Sequence, residues 1–108
     1  MLDLPKSAAY SSHVYHQYTL VLNDRTKEGI SRDGLHQHLT DKGIPSMIYY
    51  PVACHRQKMF DSFGGNTFNL PVTDWLSERV ISRPIHTELD TEQQDFIISN
   101  VLDYLHSK

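Results

Sequence analysis

The stretch of residues 91–105 constrains the fold more than any other part of the chain. Phe96, Ile97, Val101, Leu102 and Leu105 recur there at helical spacing. Thr91 followed three residues later by Gln94 is a capping-box pattern, which predicts the start of the helix. A helix with a single apolar stripe has to bury it against another layer. Residues 14–22 (VYHQYTLVL) supply strand material: they are rich in β-branched and aromatic side chains and end at the turn pair Asn23 and Asp24. Both faces of that run are largely apolar or aromatic, which predicts a well-covered strand rather than an exposed edge.

The remaining segments fit the same layered plan. Ser31 is the expected N-cap of a helix running to about Lys42, with Gly43 at the C′ position and Pro45 preventing continuation. Leu35 and Leu39 form its thin core stripe, flanked by Ile30 and Ile44. Residues 47–50 read as a short strand stopped by Pro51. Residues 52–70 read as irregular, with one helical turn at 57–63 and a turn at Gly64, Gly65 and Asn66. A second helix is expected from Pro71 to about Val80, then a strand over 81–85 in which Pro84 marks an edge or an end. Residues 1–12 carry no period and read as an irregular lead-in. The expectation is one α/β (α+β) domain over residues 1–108: a small sheet of about three short strands with helices packed on it. A compact chain of this length has a radius of gyration of about 13 Å.

Several function classes are excluded at this stage. The net charge is −3, from ten Lys/Arg and thirteen Asp/Glu. That argues against binding to nucleic acid or to an anionic membrane, both of which need a basic footprint. No apolar run approaches the ~18 residues of a membrane span, and the first residues have neither the charged nor the apolar region of a signal peptide. The single cysteine, Cys54, forms no internal disulfide, so the expected location is cytoplasmic. His13 and His16 would point to opposite faces of a strand, and His36 and His38 to different sides of a helix. Neither pair has a convincing metal-ligand arrangement. The neighbours Cys54 and His55 do not make a nucleophile pair, because adjacent side chains rarely reach each other and no orienting third group is evident. Gly64, Gly65 and Asn66 lack the Lys-Ser/Thr of a phosphate loop and read as a turn.

Residues 48–56 (IYYPVACHR) are the most informative loop. Two tyrosines, a proline, a histidine and an arginine follow directly on a strand, an arrangement that commonly lines pockets. Tyrosine hydroxyl, imidazole and guanidinium all bind phosphate or sugar oxygens. The plainer alternative is that Tyr49 and Tyr50 are half-buried strand-end aromatics.

The order of motifs carries a resemblance. HVYHQY opens at His13; a helix ends at Lys42, Gly43 and Ile44; IYYP follows from Ile48, with His55 and Gln57 soon after. FNLP then begins at Phe68, ISRP at Ile81, and His86 and ELDTEQQ from Glu88 complete the series. This series resembles the C-terminal part of the DegT/DnrJ/StrS sugar-nucleotide aminotransferases, fold-type I pyridoxal-phosphate (PLP) enzymes, over nearly the whole chain. The resemblance implies the small C-terminal domain of a larger homodimeric enzyme, with Met1 near the domain boundary. A missing N-terminal domain would hold PLP and its lysine; this chain alone would bind no PLP and have no activity. The reaction implied is transfer of an amino group from glutamate to a nucleotide-linked keto-sugar. Tyr50 and His55 fall where the family's YP-x-x-x-H stretch approaches the substrate, and His16 and Tyr18 also match the pattern. Three positions depart from it: Tyr49 stands where many members have His, Ala53 replaces a second proline, and Arg83 replaces an apolar residue of the common L-S-L-P run. Arg83 would face either solvent or the missing domain. The rival reading is a free-standing α/β module that binds a protein or a small ligand.

Overall fold

The computed structural model describes residues 1–107. Its three-stranded antiparallel sheet is formed by β1 (Leu2–Asp3), β2 (Tyr18–Leu22) and β3 (Val80–Arg83), with β2 in the centre. Leu2 pairs with Leu22, and along the other edge Tyr18 pairs with Arg83 and Leu20 with Ile81. The helices are α1 (Arg32–Asp41), α2 (Pro71–Ser77) and α3 (Thr91–His106). Between β2 and α2 the chain adds three short 3-10 helices, Cys54–Arg56, Lys58–Phe63 and Gly65–Thr67.

The expected three strands are present in number, but one of them differs. Residues 47–50 do not form a strand: only Met47 pairs with Ser82, through bonds of 2.9 and 2.7 Å in the two directions. Pro45 and Pro51 bracket the run, and proline has no N–H to extend a ladder. The third strand is Leu2–Asp3, too short to show a period in sequence. The strand expected over 14–22 begins only at Tyr18. Before it, Tyr15 adopts a left-handed φ of 46°. Its N–H donates to Nδ1 of His13 at 2.8 Å, and the two rings stack at 4.1 Å. These local bonds replace the ladder and turn the segment off the sheet.

Both long helices form where expected. Ser31 caps α1, its Oγ accepting from the Gly34 N–H at 3.0 Å. At the other end Gly43 takes φ 72°, and the N–H groups of Gly43 and Ile44 bond back to Thr40 and Leu39, closing a Schellman motif. The cap of α3 is shifted by one residue from the expected position: Asp90 and Gln93, not Thr91 and Gln94, exchange the two capping-box bonds. Two acceptable box patterns overlap in this sequence, and the geometry selects the earlier one. α2 ends at Ser77, where the carbonyls of Ser77 and Val80 accept from the buried Arg32 guanidinium at 2.9 and 3.3 Å.

The core sits between the sheet and the pair α1 and α3. It joins Leu20, Leu22 and Ile81 to Leu35 and Leu39, and to Ile97, Val101 and Leu105, with Ile30 and Ile44 closing the ends. Leu22, Leu35, Leu39 and Ile81 are almost completely buried; full burial stabilises each by roughly 1.5–3 kcal/mol. Gly34 lets α3 approach, since a Cβ there would lie 2.1 Å from the Tyr104 hydroxyl.

The whole molecule is broader than the expectation from its length. The radius of gyration is 15.9 Å and the extents are 49 × 37 × 25 Å. The accessible surface is 7709 Å², against about 6,200 Å² for a compact monomer of this mass. The excess comes from the segments that leave the core, residues 5–17 and 48–70. Tyr50, Met59, Phe63 and Phe68 all point to solvent there.

Candidate functional site

The loop of residues 48–56 leaves the sheet beside β3 and is pinned at its far end to α2. Arg56 grips Asp74 with two of its three guanidinium nitrogens, Nη2 at 2.8 Å and Nε at 3.3 Å. His55 is buried, with Nε2 3.2 Å from Asp74 Oδ1, near enough for an ion pair when protonated but not aligned for a hydrogen bond. Its Nδ1 has no partner. Hydrogen bonding from Arg56, helped by the charges of Arg56 and His55, holds the Asp74 carboxyl below its ordinary range. The hydrogen bond and charge of Asp74 in turn hold the Arg56 guanidinium above its usual range. Gly65 sits tightly against this corner: a Cβ would lie 2.7 Å from the His55 carbonyl oxygen. Asp74 was not singled out by sequence reasoning, because no spacing rule links it to His55 across an irregular segment.

The four residues expected at the site do not share one cavity. His16 lines a groove of about 230 Å³ with Gln17, Ser46, Met47, Tyr49 and Arg83. Tyr18 lines an apolar groove of about 290 Å³ between β2 and α3, with Leu4, Ile98 and Leu102. The two grooves meet at Arg83, whose guanidinium lies 4.0 Å over the Tyr18 ring. His55 borders a third, aromatic-walled pocket of about 240 Å³ formed with Cys54, Phe60, Phe63 and Phe68. Tyr50 stands exposed on the loop, its ring edge-on to Tyr49 at 5.7 Å. A larger concavity, about 410 Å³, contains none of the four; it lies where Gly43, Ile44 and Pro45 face Leu89 and Phe96.

Cys54 is exposed and unpaired. Among the described residues no group of three or more His, Cys, Asp or Glu is placed to hold a metal ion, and no helix is long and apolar enough to cross a membrane. A pyridoxal phosphate site needs a lysine amine for the cofactor aldehyde and a partner for the ring nitrogen. Lys6, Lys27, Lys42 and Lys58 are all exposed, and none lines any of the concavities described. The described residues do not by themselves fit that cofactor.

Comparison with known proteins adds the lineage. The UDP-N-acetyl-3-dehydro-alpha-D-glucosamine 3-aminotransferase of Acidithiobacillus ferrooxidans is 40% identical over 105 residues, covering 97% of this chain and 26% of the relative. A pleiotropic regulatory protein of Geobacillus stearothermophilus is 32% identical over 100 residues, 93% of this chain and 25% of its own length. Among solved structures, DesV of S. venezuelae superposes with a TM-score of 0.82 at 26% identity, covering 97% of this chain and 26% of that one. An aminotransferase of Brucella abortus gives 0.77 at 28% identity, with the same coverage. The chain thus spans about a quarter of the length of the relatives it matches. The profile of the DegT/DnrJ/EryC1/StrS aminotransferases matches residues 2–102, and with the shared fold this establishes that the chain belongs to that family.

Proposed function

We propose that this chain works as the C-terminal small domain of a cytoplasmic, homodimeric, PLP-dependent aminotransferase. In this reading the enzyme moves an amino group from glutamate to a nucleotide-linked keto-sugar. The observation that carries it is the family match along nearly the whole chain, combined with coverage of only about a quarter of each relative. The name of the Acidithiobacillus relative, an aminotransferase of a UDP-linked sugar, supports the substrate class.

Two features of the structure support the domain reading. The exposed aromatic segment 48–70 has the character of a surface that packs on something else, since large apolar patches are uncommon on monomers. No lysine lines a described concavity, which is consistent with a cofactor held by a preceding domain. The small domain then closes the cleft over the substrate. Tyr50 projects from the loop toward that cleft and contacts the sugar nucleotide. His55 lies at the fixed end of the same loop, with both ring nitrogens still to be hydrogen-bonded. His16 and Tyr18 flank the Arg83 junction and contribute to the same substrate surface.

The test is amino transfer by the longer reading frame that contains this chain. The expected result is transfer from glutamate to a nucleotide keto-sugar, strongly reduced by Tyr50→Phe, while the 108 residues alone bind no stoichiometric PLP. Stoichiometric PLP binding by the 108 residues, or absence of transfer by the longer protein, contradicts the proposal.

A further inference from the structure

The chain has five arginines, and four of them face a carboxylate. Arg25 lies near Asp3, Arg32 by Asp33, Arg56 by Asp74 and Arg79 by Asp24. Arg83 has no carboxylate partner among the described residues. Among the described residues its guanidinium makes one hydrogen bond, a 3.4 Å contact to the carbonyl of the adjacent Pro84. A guanidinium carries five N–H donors in a fixed fork, so most of this fork is unused. The Tyr18 ring 4.0 Å beneath it supports the fork and limits its rotation. The residue is half-buried, which limits how far solvent screens its charge.

The surroundings point the same way. The groove beside Arg83 is also lined by His16, Gln17, Ser46 and Tyr49, all able to donate hydrogen bonds. No aspartate or glutamate lines it, although acidic residues outnumber basic ones in the chain as a whole. A planar, pre-oriented guanidinium without a carboxylate partner matches the oxygens of a phosphate-type anion in bidentate fashion. At about 230 Å³ the groove has room for such a group, and it is smaller than the roughly 300 Å³ lower end for sites that enclose a whole drug-sized ligand.

We infer that the Arg83 groove is a binding subsite for a phosphate-type anion. Arg83 supplies the fork, Tyr18 holds it flat, and His16 and Tyr49 line the approach. Its assignment to the diphosphate of a nucleotide-linked sugar rests on the proposed function. Its preference for an anion rests on its own residues, and Arg83 departs from the apolar residue common at this position.

The test is a titration of the ¹⁵N-labelled chain followed by NMR at fixed ionic strength. The signals to read are the Arg83 Nε–H and the amides of Met47 and Ser82. The probes are inorganic pyrophosphate, uridine diphosphate and glutamate. Saturable shifts with the first two, weakened at least tenfold in Arg83→Leu and less in Arg83→Lys, support the subsite. Arg25→Gln, outside the groove, leaves them unchanged, and amide dispersion in the same spectra reports whether each variant is folded. Shifts that persist in Arg83→Leu, a preference for glutamate, or no saturable shift in the parent chain overturn it. Pyrophosphate binding through Arg83 with uridine diphosphate excluded supports the subsite and counts against the nucleotide-sugar reading. No binding of either leaves that reading to the transfer assay.

Discussion

In the core, Leu22, Leu35, Leu39 and Ile81 are almost wholly removed from water, whereas Tyr50, Met59, Phe63 and Phe68 in the 48–70 arm keep more than half their surface exposed. The two regions draw on similarly apolar residues. They differ in backbone. Ten residues of α1 and sixteen of α3 repeat a helical stripe long enough to meet the sheet. The arm is built of 3-10 helices of three to six residues, which present no continuous face. Its order rests on a few polar pins, chiefly Asp74 with Arg56 and His55. Regular elements therefore bury the apolar side chains of the core, while the arm leaves its own exposed.

The largest effect should come from emptying the core. Leu35→Ala is expected to cost about 2–5 kcal/mol, read as a fall in the urea midpoint. A loss below 1 kcal/mol would mean that the core is looser than its burial indicates. Asp90→Ala removes the α3 cap and should cost about 1 kcal/mol in the same assay. An unchanged midpoint would put the helix start elsewhere.

The arm should respond to different changes. Asp74→Asn is expected to speed amide exchange over residues 54–67 while leaving the urea midpoint of the core in place. A common loss of both would show that the two regions melt as one. Acid should act in the same direction. The Asp74 carboxyl is held below its ordinary range by Arg56, so its contribution is fully present above the unfolded-state value of about 3.9. That contribution fades as pH falls through the lower folded value. Arm protection, corrected for the intrinsic exchange rate, should therefore fall on acidification below about pH 4 in the parent, and lose that step in Asp74→Asn. The smallest effect is expected from Phe63→Ala, within about 0.5 kcal/mol in the chain alone, as for exposed positions elsewhere. A large loss would show that the arm is already packed.

The comparison also explains what could be read in advance. The stripes of Leu35 with Leu39, and of Ile97, Val101 and Leu105, placed both long helices, because side-chain period follows directly from backbone geometry. The cap of α3 was off by one because Asp90/Gln93 and Thr91/Gln94 offer competing boxes. The first half of the run 14–22 left the sheet because a His13 side-chain bond and a left-handed Tyr15 outweighed strand composition. The two-residue β1 had no period to detect. The loop of residues 48–56 was identifiable from its composition, but the Asp74 pin and the junction of two grooves at Arg83 depend on contacts between distant parts of the chain. No local pattern records such contacts.

The most direct test of this two-region account is hydrogen exchange, residue by residue, on the 108-residue chain alone and within the longer enzyme proposed above. The account predicts strong protection of β2, α1 and α3 in both, and protection of residues 52–70 that is weak alone and raised at least tenfold in the longer protein. Arm amides as protected as the core in the isolated chain, or unchanged in the longer one, would contradict it.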